Sequence, residues 1–84
     1  MRKWKHKLEP TLPNEPKAAA AKLARLLETL PVAFRAQGSW DCLDDAISWL
    51  RDDVTCTEDF DDILRFVYDW GDDFDLWLYV QYED

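Results

Sequence analysis

Gly38-Ser-Trp-Asp-Cys-Leu-Asp-Asp-Ala-Ile-Ser-Trp-Leu-Arg51 is the stretch on which the fold turns. Trp40, Leu43, Ile47 and Leu50 recur at the i, i+3, i+7, i+10 spacing of one buried helical face. Asp41, Asp44, Asp45, Ser48 and, just beyond, Asp52 fall on the opposite side, and Trp49 sits at the border. Ser39 is placed to cap the first turn, because its hydroxyl can accept from an otherwise unpaired backbone N–H. The spacing predicts a two-sided helix running to about Arg51. Its apolar side needs partners.

Reading onward, residues 51 to 56 form a short connection. Thr57 begins a third helix, with Glu58 and Asp59 in the first turn, where negative charge complements the helix dipole. Phe60, Ile63, Leu64, Val67 and Trp70 make its apolar stripe; Asp61, Asp62, Arg65 and Asp69 face outward. Gly71 suits the C′ position that ends a helix. Beyond the acidic turn Asp72-Asp73, residues 74–82 read as a strand. Leu76, Leu78, Val80 and Tyr82 share one face and Trp77, Tyr79 and Gln81 the other, so a strand covered on both sides is expected.

Reading backward, residues 31–38 are a loop, and Pro31 stops the helix before it. That first helix spans residues 15–30, with four consecutive alanines followed by Leu23, Leu26, Leu27 and Leu30 at helical spacing. Asn14 is its expected cap, with Glu15 and Pro16 in the first turn. Pro10, Pro13 and Pro16 mark a turn or linker. Residues 2–9 alternate, with Trp4, His6 and Leu8 on one face and Lys3, Lys5 and Lys7 on the other, the period of a half-buried strand with a solvated lysine face. The order is β-α-α-α-β. We expect one α+β domain over residues 1–84, in which a small sheet of paired N- and C-terminal strands packs against three helices. A chain of 84 residues buries a modest share of its surface, and five Trp, four Phe and three Tyr make that share large per residue.

Charge is divided unevenly. Residues 1–37 carry a net +5 and residues 38–84 a net −13, which together give −8. Such a field repels nucleic acid and anionic membranes and attracts cationic surfaces. No apolar run approaches the roughly 18–20 residues needed to cross a bilayer. The basic residues at the start lack the apolar stretch of a signal peptide, so a cytoplasmic location is expected. Cys42, on the second helix, and Cys56, in a connection, read as reduced thiols. With one histidine and no close cysteine pair there is no zinc-ligand pattern, and no cofactor is implied.

Catalysis finds little footing. Two glycines preclude a glycine-rich phosphate loop. His6, the only side chain with a near-neutral ordinary pKa, lies between lysines with no nucleophile at an evident distance. The aspartates line exposed helix faces, where they stay ionised rather than dividing into acid and base. The run from Asp69 to Asp75 lacks the spacing and terminal Glu of a calcium loop. We therefore expect a binding protein and not an enzyme.

The second helix is the candidate surface. Asp41 and Asp45 are four residues apart, and Asp44 and Asp52 extend the same side. Like charges at that spacing cost a helix a few tenths of a kcal/mol each, which selection for stability alone would relieve with lysines. A partner face of Trp40, Asp41, Asp44, Asp45, Ser48, Trp49 and Asp52 is expected, with the tryptophans as anchors and a basic protein, most plausibly a nuclease, as partner to a monomer or weak dimer. An alternative is a DNA mimic that also uses Asp61, Asp62, Asp69, Asp72, Asp73 and Asp75. Another is a non-catalytic interaction module that dimerises through Trp77 and Tyr79.

Residues 38–51 resemble the second helix of the barstar family, inhibitors of bacterial ribonucleases, whose motif is approximately G-x-N-W/L-D-A-L-x-D-C/A-L. Gly38, Trp40, Asp41, Leu43, Asp45, Ala46 and Ile47 agree or are conservative. Residues 63–81 are similar to that family's last helix and last strand. The resemblance implies a ribonuclease-inhibitor fold and assigns to Asp41 and Asp45 the role of the family's two motif aspartates. These enter the nuclease active site as mimics of substrate phosphates. The chain departs from the family at Ser39, where Asn is usual, and in lacking the tyrosine before the glycine. It also has only residues 51–56 where the family places a strand, so a reduced sheet is implied.

Overall fold

The computed structural model describes residues 6–30, 40–73 and 75–83, with backbone alone for His6, Trp40, Asp41 and Cys42. The expectations for Lys3, Trp4, Lys5, Pro31, Gly38 and Ser39 lie outside the described residues. The elements are β1 (His6–Leu8), β2 (Thr11–Leu12), α1 (Pro16–Glu28), α2 (Trp40–Asp52), α3 (Thr57–Asp73), β3 (Leu76–Leu78) and β4 (Gln81–Tyr82).

The start of α1 shows how a local rule settles a boundary. Proline at N1 forces the residue before it into extended backbone, which is the geometry an N-cap needs. Glu15 therefore caps the helix, at φ −75° and ψ 124°. Its carboxylate accepts from the N–H of Lys17 at 3.1 Å and of Ala18 at 2.7 Å. Asn14, the expected cap, instead donates its side-chain amide to the carbonyl of Glu83 and ties the helix entry to the end of the chain. The helix ends at Glu28, with Thr29 as C-cap, short of the expected Leu30. A residue before proline is excluded from helical backbone, so the last turn closes early.

Three inner faces make the core. Ala19, Ala20, Leu23, Ala24 and Leu27 of α1 meet Leu43, Ala46, Ile47 and Leu50 of α2, and the alanines let the two helices approach closely. Val54 closes the connection from within. Phe60, Leu64, Val67 and Trp70 of α3 complete the cluster with Leu12, Leu76 and Leu78 of the strands. Ile63, expected within the stripe, is half-buried at its edge.

The two chain ends pair as expected, and they pair in parallel. His6 lies opposite Leu76, Lys7 opposite Trp77 and Leu8 opposite Leu78. Thr11 lies opposite Gln81 and Leu12 opposite Tyr82, in the same register. Tyr79, Gln81 and Glu83 donate their N–H groups to the carbonyls of Leu8, Pro10 and Leu12 at 2.8, 2.9 and 2.9 Å. The segment expected to be a proline-marked linker is thus partly strand. Pro10 sits with its missing N–H where only its carbonyl is used, and Leu12 is fully buried.

Two further expectations are corrected. Gly71 does not end the helix; it lies inside α3 and is buried. A Cβ there would stand 3.0 Å from the Leu76 carbonyl oxygen, so the glycine admits the crossing of β3 over α3. The left-handed turn falls at Asp75, φ 60°, a conformation aspartate tolerates better than most side chains. The C-terminal strand, expected to be continuous and covered on both faces, is two short pieces with one open face. Trp77 and Tyr79 stack there at 5.5 Å with planes 5° apart, and Tyr79 is 49% exposed. Tyr82, assigned to the buried face, is 44% exposed, at the rim of a hollow it shares with Pro16 and Ala19 of α1 and Phe60 and Asp61 of α3.

Candidate partner-binding face

Burying Leu43, Ala46, Ile47 and Leu50 aims the opposite side of α2 at solvent. Asp44, Asp45, Ser48 and Asp52 are exposed there, and Trp49 is 37% exposed at the border. Five of the seven residues expected at a partner face therefore share one surface. The side chains of Trp40 and Asp41 lie outside the described residues.

Among the described residues, no cation neutralises this face. Arg51 is the basic residue of the last turn of α2. The positions three and four residues from it are Ile47, Ser48, Val54 and Thr55, so its own helix offers no acid at pairing distance, and it forms an ion pair with Glu28 of α1. Asp44, Asp45 and Asp52 make no ion pair with any described residue. All three are exposed, and no described cation offsets their charge.

The charge continues onto α3 across a groove of about 270 Å³ lined by Trp49, Asp53, Asp59, Asp62 and Ile63. Trp49 forms its wall and meets Phe66 edge-on, with ring centres 5.4 Å apart and planes at 72°. Asp59 is held in place by Thr55, whose hydroxyl donates at 2.6 Å and whose N–H donates at 3.0 Å to the same carboxylate oxygen. These bonds, the hydroxyl first, hold the Asp59 carboxyl below its ordinary value of 3.8. The groove thus has an apolar side, where Trp49 and Ile63 lie, and an acidic rim, the surroundings that suit an arginine or lysine side chain.

Sequence reading assigned Trp49 to this surface and missed Asp53, Asp59, Asp62 and Ile63 as its neighbours. The i, i+4 spacing of Thr55 and Asp59 was the available signal for one of them. Asp53 follows from its place four residues after Trp49, whose carbonyl accepts its N–H at 2.8 Å; the packing of α3 against α2 places Asp62 and Ile63, and no local pattern encodes that packing.

Among the described residues, no group of three or more His, Cys, Asp or Glu is arranged to hold a metal ion. The acids are spread along two helices and do not converge. Cys56 is a free, exposed thiol at the entry to α3. No described helix is long and apolar enough to cross a membrane. No protein-family model, curated protein or solved structure matches the chain.

Proposed function

We propose that this protein is an acidic inhibitor, of the barstar or immunity type, that blocks a basic enzyme, a ribonuclease. Carboxylates of α2 would occupy the enzyme's phosphate-binding site. One observation carries the reading: α2 presents Asp44, Asp45 and Asp52 to solvent with no ion pair to any described residue. A helix surface left uncompensated in this way meets cations most favourably on another molecule, where each charge loses water only as it gains a partner. The resemblance of residues 38–51 to the barstar motif supports the same reading and adds Asp41 to the set. The protein is read as non-catalytic and cytoplasmic on the same grounds.

The test is kinetic. Binding to small basic ribonucleases should be fast at low salt and slow steeply as salt rises, because exposed charge steers encounter. Asp45→Ala and Asp41→Ala should each weaken it by tenfold or more, about 1.4 kcal/mol. Tight binding that survives both changes overturns the assignment.

A second reading has its own observation. The carboxylates run on from α2 through Asp53 and Asp59 to Asp62 across the groove, a broader field than two phosphates require. A DNA mimic that blocks a nucleic-acid-binding protein would use that whole field. Sensitivity spread evenly over Asp45, Asp53, Asp62 and Asp69 favours the mimic; sensitivity concentrated on α2 favours the inhibitor.

A further inference from the structure

The second edge of the sheet has no part in the reading above. Leu8, Pro10 and Leu12 turn their carbonyls toward the C-terminal strand. Alternation along extended chain therefore turns the main-chain groups of Lys7, Glu9 and Thr11 to the opposite edge. No described strand lies there, since β1 and β2 each have a single neighbour. Among the described residues, one flexible side chain reaches that edge: Lys22 Nζ donates to the Thr11 carbonyl at 2.6 Å. A two-stranded sheet with a free edge is a template for a further strand.

Beside this edge runs a trough between the strand and α1. It consists of two hollows, of about 240 and 220 Å³, that share Lys22 and Leu26. Leu8 and Pro10 line one and Arg25 lines the other. The walls are apolar and the rim is basic, with Lys7 exposed nearby on the strand. Of the carboxylates on these elements, Glu15 caps α1 and Glu28 pairs with Arg51, which leaves Glu9 to oppose the cations. The local sign is therefore opposite to that of α2.

We propose that this trough and edge form a docking site for an extended segment of a partner protein that alternates acidic and apolar residues and adds to the sheet as a third strand. Its main chain bonds to Lys7, Glu9 and Thr11, its apolar side chains enter the trough, and its acids meet Lys22 and Arg25. Lys22 releases the Thr11 carbonyl to the incoming N–H and turns to a carboxylate. This is recognition by strand addition, in which backbone bonds supply affinity and alternate side chains supply choice.

The experiment is an NMR titration of the full chain with a short, blocked peptide alternating glutamate and valine. Amide exchange at Lys7, Glu9 and Thr11 should slow by about tenfold or more, with no change at Asp44 or Asp45. Arg25→Glu, at an exposed position, should weaken binding roughly tenfold through like-charge contact, and Asp45→Ala should leave it unchanged. Three results overturn the proposal: no protection at those amides, equal protection by a lysine–valine peptide, or protection that grows with protein concentration in the absence of peptide, which would place a second copy of the chain on the edge. None of them touches the inhibitor reading, which rests on the other side of the molecule.

Discussion

α1 and α2 are each 13 residues long and lie side by side, yet their outer faces carry opposite charge. Inside, both present small and branched apolar residues to one shared core. Outside, α1 shows Lys17, Lys22 and Arg25, and α2 shows Asp44, Asp45 and Asp52. Packing constrains the inner faces, because a buried volume must be filled. It leaves the outer faces nearly free, so their charge records something other than stability. The single described bridge between them, Arg51 to Glu28, takes an arginine from the acidic helix and a glutamate from the basic one. It sharpens the contrast between the two faces by removing the exceptions.

The largest expected effect lies on the inner side. Leu43→Ala and Leu23→Ala should each cost about 2–5 kcal/mol of stability, measured by urea denaturation, since both side chains are fully buried where the helices meet. A loss well under 1 kcal/mol at either would mean that the two faces do not share one core.

On the outer side, stability and binding should separate. Asp44→Ala with Asp45→Ala should shift stability by no more than about 0.5 kcal/mol, and in the stabilising direction, by relieving repulsion. The same pair should slow association with a basic nuclease several-fold at low salt and leave the rate nearly unchanged at high salt. Equal losses at both salt concentrations would remove charge steering from the account.

Arg51→Met tests the bridge. Because both partners are substantially exposed, stability should change by about 1 kcal/mol at most. Melting that falls much further would mean that the pair organises the α1–α2 contact and does not merely trim its charge.

The smallest effects are those of pH. Asp59 has its carboxyl lowered, first by the Thr55 hydroxyl, so its contribution is complete above its ordinary value of 3.8 and is lost as pH falls through the lower folded value. Thr55→Ala should flatten that acid limb. Tyr68 and Tyr82 have theirs raised, chiefly by burial, so their contribution is complete below the ordinary value of 10.0 and is lost as pH rises through the higher folded ones. A difference in stability between the parent and Tyr82→Phe that does not vary above pH 10 would contradict this sign.

How far the fold could be read in advance depends on the range of the force involved. The stripe of Leu43, Ile47 and Leu50 and that of Phe60, Leu64, Val67 and Trp70 were legible, because burial repeats at the helical period. Thr57 was legible as the start of α3. Asn14 was expected as the cap because asparagine is a preferred capping residue and glutamate is not; the rule for the residue before proline moves the cap to Glu15. Gly71 was misread because a glycine that ends a helix and a glycine that admits a crossing strand look alike in a sequence. At the candidate face, Asp44, Asp45, Ser48, Trp49 and Asp52 were placed correctly on one exposed surface. Asp53 joined them as the continuation of the last turn of α2, and Asp59 and Asp62 only through the packing of α3.

The amino-acid order alone determined which residues go inside each helix, where negative charge gathers and that the two ends of the chain are strands. Those are consequences of periodicity and composition, which act within a few residues of one another. Tertiary structure decided that the end strands run parallel in a single register, that Arg51 turns to Glu28, that a groove opens beside Trp49 and that no described strand pairs with the outer edge of β1 and β2. Each of these depends on residues far apart in sequence being held at a given distance, and only the closed core holds them there.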